Sequence, residues 1–372
     1  MRYLSKHIEN DLEKKMVFVG GPRQVGKTTL AKDLLKSNFP KGTYFNWDFD
    51  EDRRDILSKR WKDDANLIVF DELHKYPKWK NWIKGLYDVY NREHSFLVTG
   101  SARLDVYKKG GDSLIGRYHY RRLHPFGLDE LPPGMSPKEV LKRLMKVGGF
   151  PEPFLDEDER EARRWKRERF DRVIREDIRD LTSLRNVALV QLLLNQLRSR
   201  VGSLVVVSNL ATEIQISPKT ASTWIEILEK MYLVFRVMPY TKNLPRAILK
   251  PSKVFFFDNS DVIGDEGAVF ENLVASHLLK KINFLQDRDG YDYELRYLRD
   301  KEGREVDFVI IRDSKVEELI EVKFSDKNVS KSLKYYAEIL KPEKATQIVH
   351  GLKRPFSSGN INVVDPVEYF LR

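Results

Sequence analysis

The sequence predicts an α/β protein that begins with a largely parallel sheet covered by helices on both faces. Strand-like and helix-like patterns alternate through roughly the first 130 residues, as in chains that return to one sheet through helical crossovers. The strand-like segments are uninterrupted apolar runs, which are typical of strands buried on both faces. The pattern changes after this part, so further domains are expected.

Four strands are expected in the first part, at residues 16–19, 43–47, 67–70 and 95–98. The first strand runs into Gly20 and Gly21, and a helix is expected to begin near Lys27. The segment Leu131-Pro132-Pro133-Gly134 interrupts the alternation, because proline and glycine end regular elements. We therefore place the first domain at residues 1–132.

Composition limits the classes of protein and of site. The chain has 372 residues, enough for two or three domains, and its formal net charge of +10 favours polyanionic partners such as nucleotides or nucleic acid. It has no cysteine, which excludes disulfide frameworks, zinc–cysteine sites, iron–sulfur clusters and thiol catalysis. No apolar run approaches the ~18 residues that cross a bilayer, and no signal-peptide core follows Met1, so we expect a cytoplasmic protein without a membrane partner.

Residues 133–186 are expected to form a helical linker region. This region holds Gly148-Gly149-Phe150-Pro151 and then a helix over about residues 158–181 that contains eight arginines. Acidic side chains offset most of the arginine charge. A solvated helix face and a phosphate-binding surface therefore both remain open for this helix.

Residues 187–245 are expected to form a winged-helix domain. A short helix at 208–214, a turn, a second helix opened by Ser217-Pro218 and a strand at 233–238 follow in winged-helix order. The second helix offers Lys219, Thr220 and Thr223 to nucleic acid, but Glu226 and Glu229 face phosphates poorly. Contact with double-stranded DNA and docking of a protein partner both remain open.

The strongest motif lies between the first strand and the first helix of the alternating part. Its residues fit the pattern G-x-x-x-x-G-K-T, and they are Gly21, Pro22, Arg23, Gln24, Val25, Gly26, Lys27 and Thr28, followed by Thr29. Glycines let such a loop turn its N–H groups toward phosphates, and the helix N-terminus adds its dipole. We expect Lys27 to reach the β- and γ-phosphates of ATP and the Thr28 hydroxyl to ligate Mg²⁺.

Two acids end the strand at 67–70 and complement this loop. Asp71 is expected to organise the magnesium ion, and the adjacent Glu72 to polarise the attacking water as the catalytic base. Thr99 or Ser101, at the end of the next strand, can hydrogen-bond the γ-phosphate. Arg117 can act as an arginine finger on a neighbouring copy, which requires a homo-oligomer, although Arg103 and a surface salt bridge remain alternatives.

These motifs resemble archaeal and bacterial AAA-type P-loop ATPases of the AAA+ superfamily that carry a C-terminal domain of unknown function. The resemblance rests on the loop above, on Phe70-Asp71-Glu72, on Val98-Thr99-Gly100-Ser101 and on Ser113-Leu114-Ile115-Gly116-Arg117. Gly148-Gly149-Phe150-Pro151 and Val306-Asp307-Phe308 extend it over nearly the whole chain. It implies a P-loop NTPase parallel sheet and specificity for adenine nucleotides.

A second group of charged residues lies in the last part, residues 246–372. An amphipathic helix to about residue 282, three strands, a helix at 330–340 and a last strand at 346–350 are expected there. Strand alternation places Glu305 with Asp307 on one face, and Glu321 with Lys323 on one face of the next strand. Asp307 and Glu321 can then share a divalent ion, Lys323 can position a water, and Glu271 can complete the ligand set.

This order of elements resembles the restriction-endonuclease-like, PD-(D/E)xK fold. An active nuclease and an inert relative whose acids pair with Lys323 both remain open. The sequence as a whole predicts a Mg²⁺-dependent ATPase associated with DNA and carrying a nuclease-like C-terminal α/β domain. The alternative is a nucleotide-gated protein-interaction switch in which that domain is inactive.

Overall fold

The structure, a computed structural model, describes residues 2–100, 114–156, 158–173, 187–241, 250–325 and 327–371. The chain divides into two compact units, Met1–Pro125 and Phe126–Arg372. The four-part division expected from the sequence remains a prediction. Its first boundary, at residue 132, lies seven residues beyond the division between the two units.

The first unit alternates helices and strands, as the sequence predicts. In chain order its elements are α1 (Ser5–Leu12), β1 (Met16–Gly20), α2 (Lys27–Ser37), β2 (Thr43–Asn46), α3 (Asp50–Ser58), β3 (Leu67–Asp71), α4 (Trp79–Tyr90), β4 (Ser95–Thr99) and β5 (Tyr118–Arg122). Over the described residues the strands form one five-stranded sheet in the order β2-β3-β4-β1-β5, with every neighbouring pair parallel. The expected α/β class with a P-loop-type parallel sheet is confirmed.

Burial explains why these apolar runs are strands. Every residue of β1 and β3 is buried, and Phe18, Phe70 and Phe96 lie in one apolar cluster with Trp79 and Ile83 of α4. The fifth strand, β5, was not expected, because its sequence Tyr-His-Tyr-Arg-Arg is polar and only half-buried. It lies at the sheet edge, where such a sequence is tolerated.

The second unit combines helices with a mixed sheet. Its elements are α5 (Pro137–Val147), α6 (Pro151–Asp156), α7 (Glu159–Arg172), α8 (Val187–Arg198), β6 (Leu204–Val205), α9 (Val207–Glu213), α10 (Pro218–Lys230), β7 (Val234–Pro239), β8 (Ser252–Phe256), α11 (Glu266–Asp289), β9 (Tyr293–Arg299), β10 (Glu305–Arg312), β11 (Lys315–Lys323), α12 (Lys331–Leu340), β12 (Lys344–Val349), β13 (Phe356–Ser358), β14 (Ile361–Val364) and α13 (Pro366–Leu371). In the described part of the chain, its strands follow the order β13-β14-β12-β11-β10-β9-β7-β8-β6.

One sheet includes strands from both sides of the domain boundary expected at residues 245 and 246. β7 pairs antiparallel with β8 and parallel with β9. The fully buried strand β8, which follows that boundary, also pairs with β6. β8 was not expected, because it begins with the polar pair Ser252-Lys253.

The end of the chain differs from the expected order. The strand expected last, at residues 346–350, is β12, and β13, β14 and α13 follow it. The two extra strands have three and four residues, and β13 is largely exposed, so they lack a long apolar pattern. The Arg-rich helix begins as expected, with Asp158 capping α7, whereas its expected end at 181 lies outside the described residues.

Within the parts of the chain that the structure describes, we find no helix with the length and apolar character needed to span a membrane.

Candidate nucleotide site and acidic centre

The loop between β1 and α2 has the tight backbone that the glycine pattern predicts. Gly21 and Gly26 have φ values of 143° and 94°, and Gln24 also has a positive φ of 60°. A Cβ atom on Gly21 would lie 2.3 Å from the carbonyl oxygen of Leu123, so a larger residue does not fit there. α2 begins at Lys27, which directs its N-terminus at the loop.

Lys27 lies folded against this loop. Its side chain is buried, and its Nζ donates hydrogen bonds to the carbonyl oxygens of Gly21, at 3.1 Å, and Pro22, at 2.6 Å. The ammonium group is therefore held against the backbone of the loop. The role expected of Lys27 toward phosphate remains a prediction.

Asp71 accepts hydrogen bonds from three hydroxyl groups on three different elements. Its Oδ2 accepts from Thr28 Oγ1 and from the hydroxyl of Tyr44, each at 2.6 Å, and its Oδ1 accepts from Thr99 Oγ1 at 2.5 Å. The structure thus brings together Thr28, Asp71 and Thr99, three of the residues predicted for this site. Sequence reasoning missed Tyr44.

Glu72 lies beside this cluster in a strained backbone conformation. Its φ is 58°, and its backbone N–H donates to the carbonyl oxygen of Thr99 at 2.9 Å. Burial raises the pKa of the Glu72 carboxyl, against the opposing charges of Lys27 and Lys75. Lys75 Nζ and His74 Nε2 lie 3.5 and 3.6 Å from Glu72 Oε2. A carboxylate with a raised pKa at this point suits proton abstraction from water.

The remaining residues predicted for this site have mixed positions. Val25 is buried, Arg23 and Gln24 are half-buried, and Thr29 is exposed on α2. Arg117 forms a salt bridge with Asp88 of α4, with Nε 2.6 Å from Oδ1, as in the salt-bridge alternative. Ser101 and Arg103 lie outside the described residues.

A second charged centre forms in the other unit, where β8, β10, β11 and α11 meet. Lys253 of β8 has only 3% of its side chain exposed, and its Nζ lies 2.6 Å from Glu305 Oε1, 3.4 Å from Glu271 Oε1 and 3.6 Å from Asp307 Oδ1. Burial lowers the pKa of Lys253, but the charges of Glu271, Asp307 and Glu305 outweigh burial and raise it. The ammonium group therefore stays charged inside the centre.

Glu321 and Lys323 lie at the other side of Asp307. Lys323 Nζ is 2.8 Å from Glu321 Oε1, and Asp307 Oδ2 accepts a hydrogen bond from the backbone N–H of Val322 at 2.8 Å. Burial and the nearby charge of Asp307 raise the pKa values of Glu271 and Glu321 to about 7 each. The structure thus gathers the four residues predicted for this centre.

Lys253 is the residue of this centre that sequence reasoning missed. A signal was present, because Lys253 stands directly before the apolar run Val254-Phe255-Phe256 of β8. Among the residues that the structure describes, no group of three or more His, Asp or Glu side chains is arranged to hold a metal ion.

The region predicted to be a winged helix has exposed polar side chains and a groove. Lys219 and Thr223 are exposed on α10, whereas Trp224 is buried. A groove of about 500 Å³ is lined in part by Glu226, Glu229 and Arg236. Glu229 is already paired with Arg236, with Oε2 2.6 Å from Nη2.

Three stretches of the chain match known families. Residues 13–131 match an AAA domain, and residues 138–261 and 266–370 match two domains of unknown function, DUF8612 and DUF4143. The first match and the loop geometry together support an AAA-type, ATP-binding P-loop domain in this part of the chain.

Relatives of the chain include uncharacterized proteins of archaea and bacteria. One, from Methanocaldococcus jannaschii, is 24% identical over 316 residues, which are 74% of this chain and 70% of that protein. Two others, from Mycobacterium bovis and Mycobacterium tuberculosis, are 25% identical over 250 residues, which are 65% of this chain. The chain matches 54% of the length of these two mycobacterial relatives.

Solved structures show only distant similarity. The ORC1 protein of Aeropyrum pernix in complex with DNA is 13% identical, with a TM-score of 0.33 and coverage of 75% of this chain and 92% of that chain. A RuvB variant of Thermotoga maritima is 14% identical, with a TM-score of 0.31 and coverage of 63% and 88%. Similarity at this level does not bear on the partners of this chain.

Proposed function

We propose that the N-terminal unit binds ATP together with Mg²⁺ and hydrolyses it. The observation that supports this most is the meeting of Thr28, Asp71 and Glu72 beside the loop that holds Lys27. These residues come from α2, from the end of β3 and from the turn that follows it. The carboxyl edge of a parallel sheet is the usual binding edge of such folds.

The side chains of this site suit both the phosphates of ATP and the Mg²⁺ ion. The loop N–H groups and Lys27 suit phosphate, and the Thr28 hydroxyl and Asp71 carboxylate supply the oxygen ligands that Mg²⁺ prefers. When bound, Mg²⁺ neutralises phosphate charge. Glu72 accepts the proton of the attacking water, and Thr99 or Ser101 hydrogen-bonds the γ-phosphate.

Mg²⁺-dependent release of phosphate from ATP tests this function, with Glu72→Gln and Lys27→Ala beside wild type. Because Glu72 acts as the base, Glu72→Gln should lower turnover by about 10²- to 10⁴-fold while ATP still binds. Lys27→Ala should lose both turnover and tight ATP binding. Full turnover in Glu72→Gln would contradict the role of Glu72.

We further propose that the chain associates with double-stranded DNA through α10. The net charge of +10 and the exposed Lys219 and Thr223 near the start of α10 favour this partner. An electrophoretic shift with duplex DNA should weaken steeply as salt rises, because phosphate contacts release counterions. Absence of salt-sensitive binding would exclude DNA as the partner.

The alternative is a nucleotide-gated switch that binds a protein partner. Exposed Glu226 and the groove beside it favour this alternative, since an acidic rim repels phosphates. Pulldowns whose partners differ between wild type and Lys27→Ala would support it.

A role for Arg117 at the nucleotide of a neighbouring copy predicts that the protein forms a homo-oligomer when ATP is present, which sedimentation would detect.

A further inference from the structure

The acidic centre of the second unit contains its own buried cation. Lys253 Nζ lies within 3.6 Å of carboxylate oxygens from Glu271, Glu305 and Asp307, which belong to α11 and β10. An ammonium group carries three donors and one positive charge, so it can satisfy several carboxylates at once. It occupies the side of Asp307 that faces Glu271.

Three other oxygens predicted to bind a divalent ion also contact a cation or a donor, whereas Glu321 Oε2 is buried and has no hydrogen-bond partner among the described residues. Asp307 Oδ1 faces Lys253 and Asp307 Oδ2 accepts the N–H of Val322, while Glu321 Oε1 pairs with Lys323. A divalent ion bound to Asp307 would therefore lie next to a buried positive charge. Inside a protein, where the dielectric response is weak, like charges at such distances repel strongly.

The Mg²⁺ ion that a nuclease-like fold implies therefore does not fit these residues. We propose that Lys253 takes the place of this divalent ion, so that the acidic centre binds no metal and cuts no nucleic acid. The centre is then a structural counter-ion cluster that joins β8, β10 and α11. This inference is independent of ATP hydrolysis by the N-terminal unit.

The packing around Lys253 supports a structural role. Gly202, with a φ of 71°, lies against Glu271, where a Cβ would be 2.6 Å from Glu271 Oε2. Glu305 is held on its other oxygen by Arg299, with Nη1 at 2.8 Å from Oε2. Glu305 and Asp307 are thus also held by contacts other than Lys253, and the carboxylates around Lys253 raise the pKa of its ammonium group.

Titration of the nucleotide-free full chain with Mn²⁺ alone, followed by electron paramagnetic resonance, tests the inference. The relevant signal is the Mn²⁺ binding that Asp307→Asn removes. Wild type should show no such binding, whereas Lys253→Met should gain one Asp307-dependent Mn²⁺ site, because the competing charge is gone. Lys250→Met, which removes an exposed lysine nearby, should behave as wild type.

Two results would overturn the inference. The first is Asp307-dependent Mn²⁺ binding, or Asp307-dependent nicking of plasmid, by wild type. This measurement needs no Lys253 variant, so it holds even if that variant does not fold. The second is a folded Lys253→Met or Lys253→Gln variant, checked by circular dichroism, that gains no Mn²⁺ site.

Discussion

Asp71 shows which part of the nucleotide site a sequence can predict. Thr28 and Asp71 were both expected at the magnesium ion, so their contact was expected, whereas Thr99 was expected at the γ-phosphate. Tyr44 was missed because its contact depends on the order of strands. β2 neighbours β3, with Asn46 opposite Asp71, and Tyr44 lies two residues earlier on the same strand face. Strand order arises from packing of the whole sheet and is not encoded in any local pattern.

Tyr44 is expected to position Asp71 for Mg²⁺. Tyr44→Phe removes one of the three hydroxyl donors to Asp71 and keeps the ring. The Mg²⁺ concentration for half-maximal ATP turnover should rise about tenfold, as for other residues that orient ligands, with little change in kcat at saturating Mg²⁺. An unchanged Mg²⁺ requirement would contradict this role. Tyr76→Phe, in the same unit, serves as the control.

The raised pKa of Glu72 predicts the acid limb of the ATPase pH profile. The base must be ionised, so kcat should fall as pH drops through a value above the ~4.3 of an exposed glutamate. Lys75→Ala should move this limb to higher pH, because the charge of Lys75 lowers the pKa of Glu72. Lys78→Ala, an exposed neighbour, should leave it in place. A limb that shifts to lower pH in Lys75→Ala would contradict the assignment.

The raised pKa of Glu321 predicts how stability depends on pH. Its folded-state pKa of about 7 exceeds the ~4.3 of the unfolded chain, so the folded state binds more protons between these values. The contribution of Glu321 to stability should therefore decrease as pH rises from about 4 through 7. Urea unfolding at pH 5 and pH 8 measures this effect. The loss of unfolding free energy between the two pH values should be about 2 kcal/mol smaller in Glu321→Gln than in wild type. Exposed Glu338→Gln is the control, and equal slopes in all three proteins would contradict the prediction.

At the scale of elements, long apolar or capped segments were predicted well and short or polar ones were not. α2 and α10 begin where expected, because a phosphate-loop glycine and a Ser-Pro cap mark their starts, and the apolar run of β3 places it within one residue of its expected bounds. β5 and β13 were not predicted, because an edge strand needs little apolar pattern. β8 escaped because it holds a buried charge whose partners are distant in sequence.

The structure explains the motif Gly148-Gly149-Phe150-Pro151. Gly148 ends α5 with a φ of 80°, and a Cβ there would lie 1.9 Å from Asp258 Oδ1. Asp258 in turn lies 3.4 Å from Arg169 Nη1, and the guanidinium of Arg169 stacks 3.8 Å from the ring centre of Phe150. The motif therefore lets a buried ion pair approach the backbone.

Gly148→Ala should destabilise the chain by about 2–5 kcal/mol, through backbone strain together with the clash against Asp258. Gly134→Ala is the matched control, because Gly134 also has a positive φ, of 86°, but would place no atom within 4 Å of its Cβ. Gly134→Ala should lower the free energy of unfolding only by the cost of backbone strain, about 1–2 kcal/mol. Equal losses in urea unfolding would show that the approach of Asp258 does not matter.

At the scale of the whole molecule, two compact units bear two charged centres of different character. The nucleotide centre gathers hydroxyls and acids around a loop suited to phosphate. In the acidic centre, the buried charge of Lys253 instead offsets part of the charge of the carboxylates around it. This contrast is consistent with the proposal that the chemistry of the chain lies in the first unit.

The central claim is that the first unit hydrolyses ATP with Glu72 as the base. The most direct test is Mg²⁺-dependent ATP turnover by wild type and Glu72→Gln, each with and without duplex DNA. We predict turnover that needs Mg²⁺, falls by about 10²-fold or more in Glu72→Gln and rises with DNA. Turnover that does not change when DNA is added would agree with ATP hydrolysis by the first unit and would favour the protein-interaction switch. Two results would contradict the claim. Folded wild type could bind ATP without any Mg²⁺-dependent turnover, or Glu72→Gln could turn over ATP as fast as wild type.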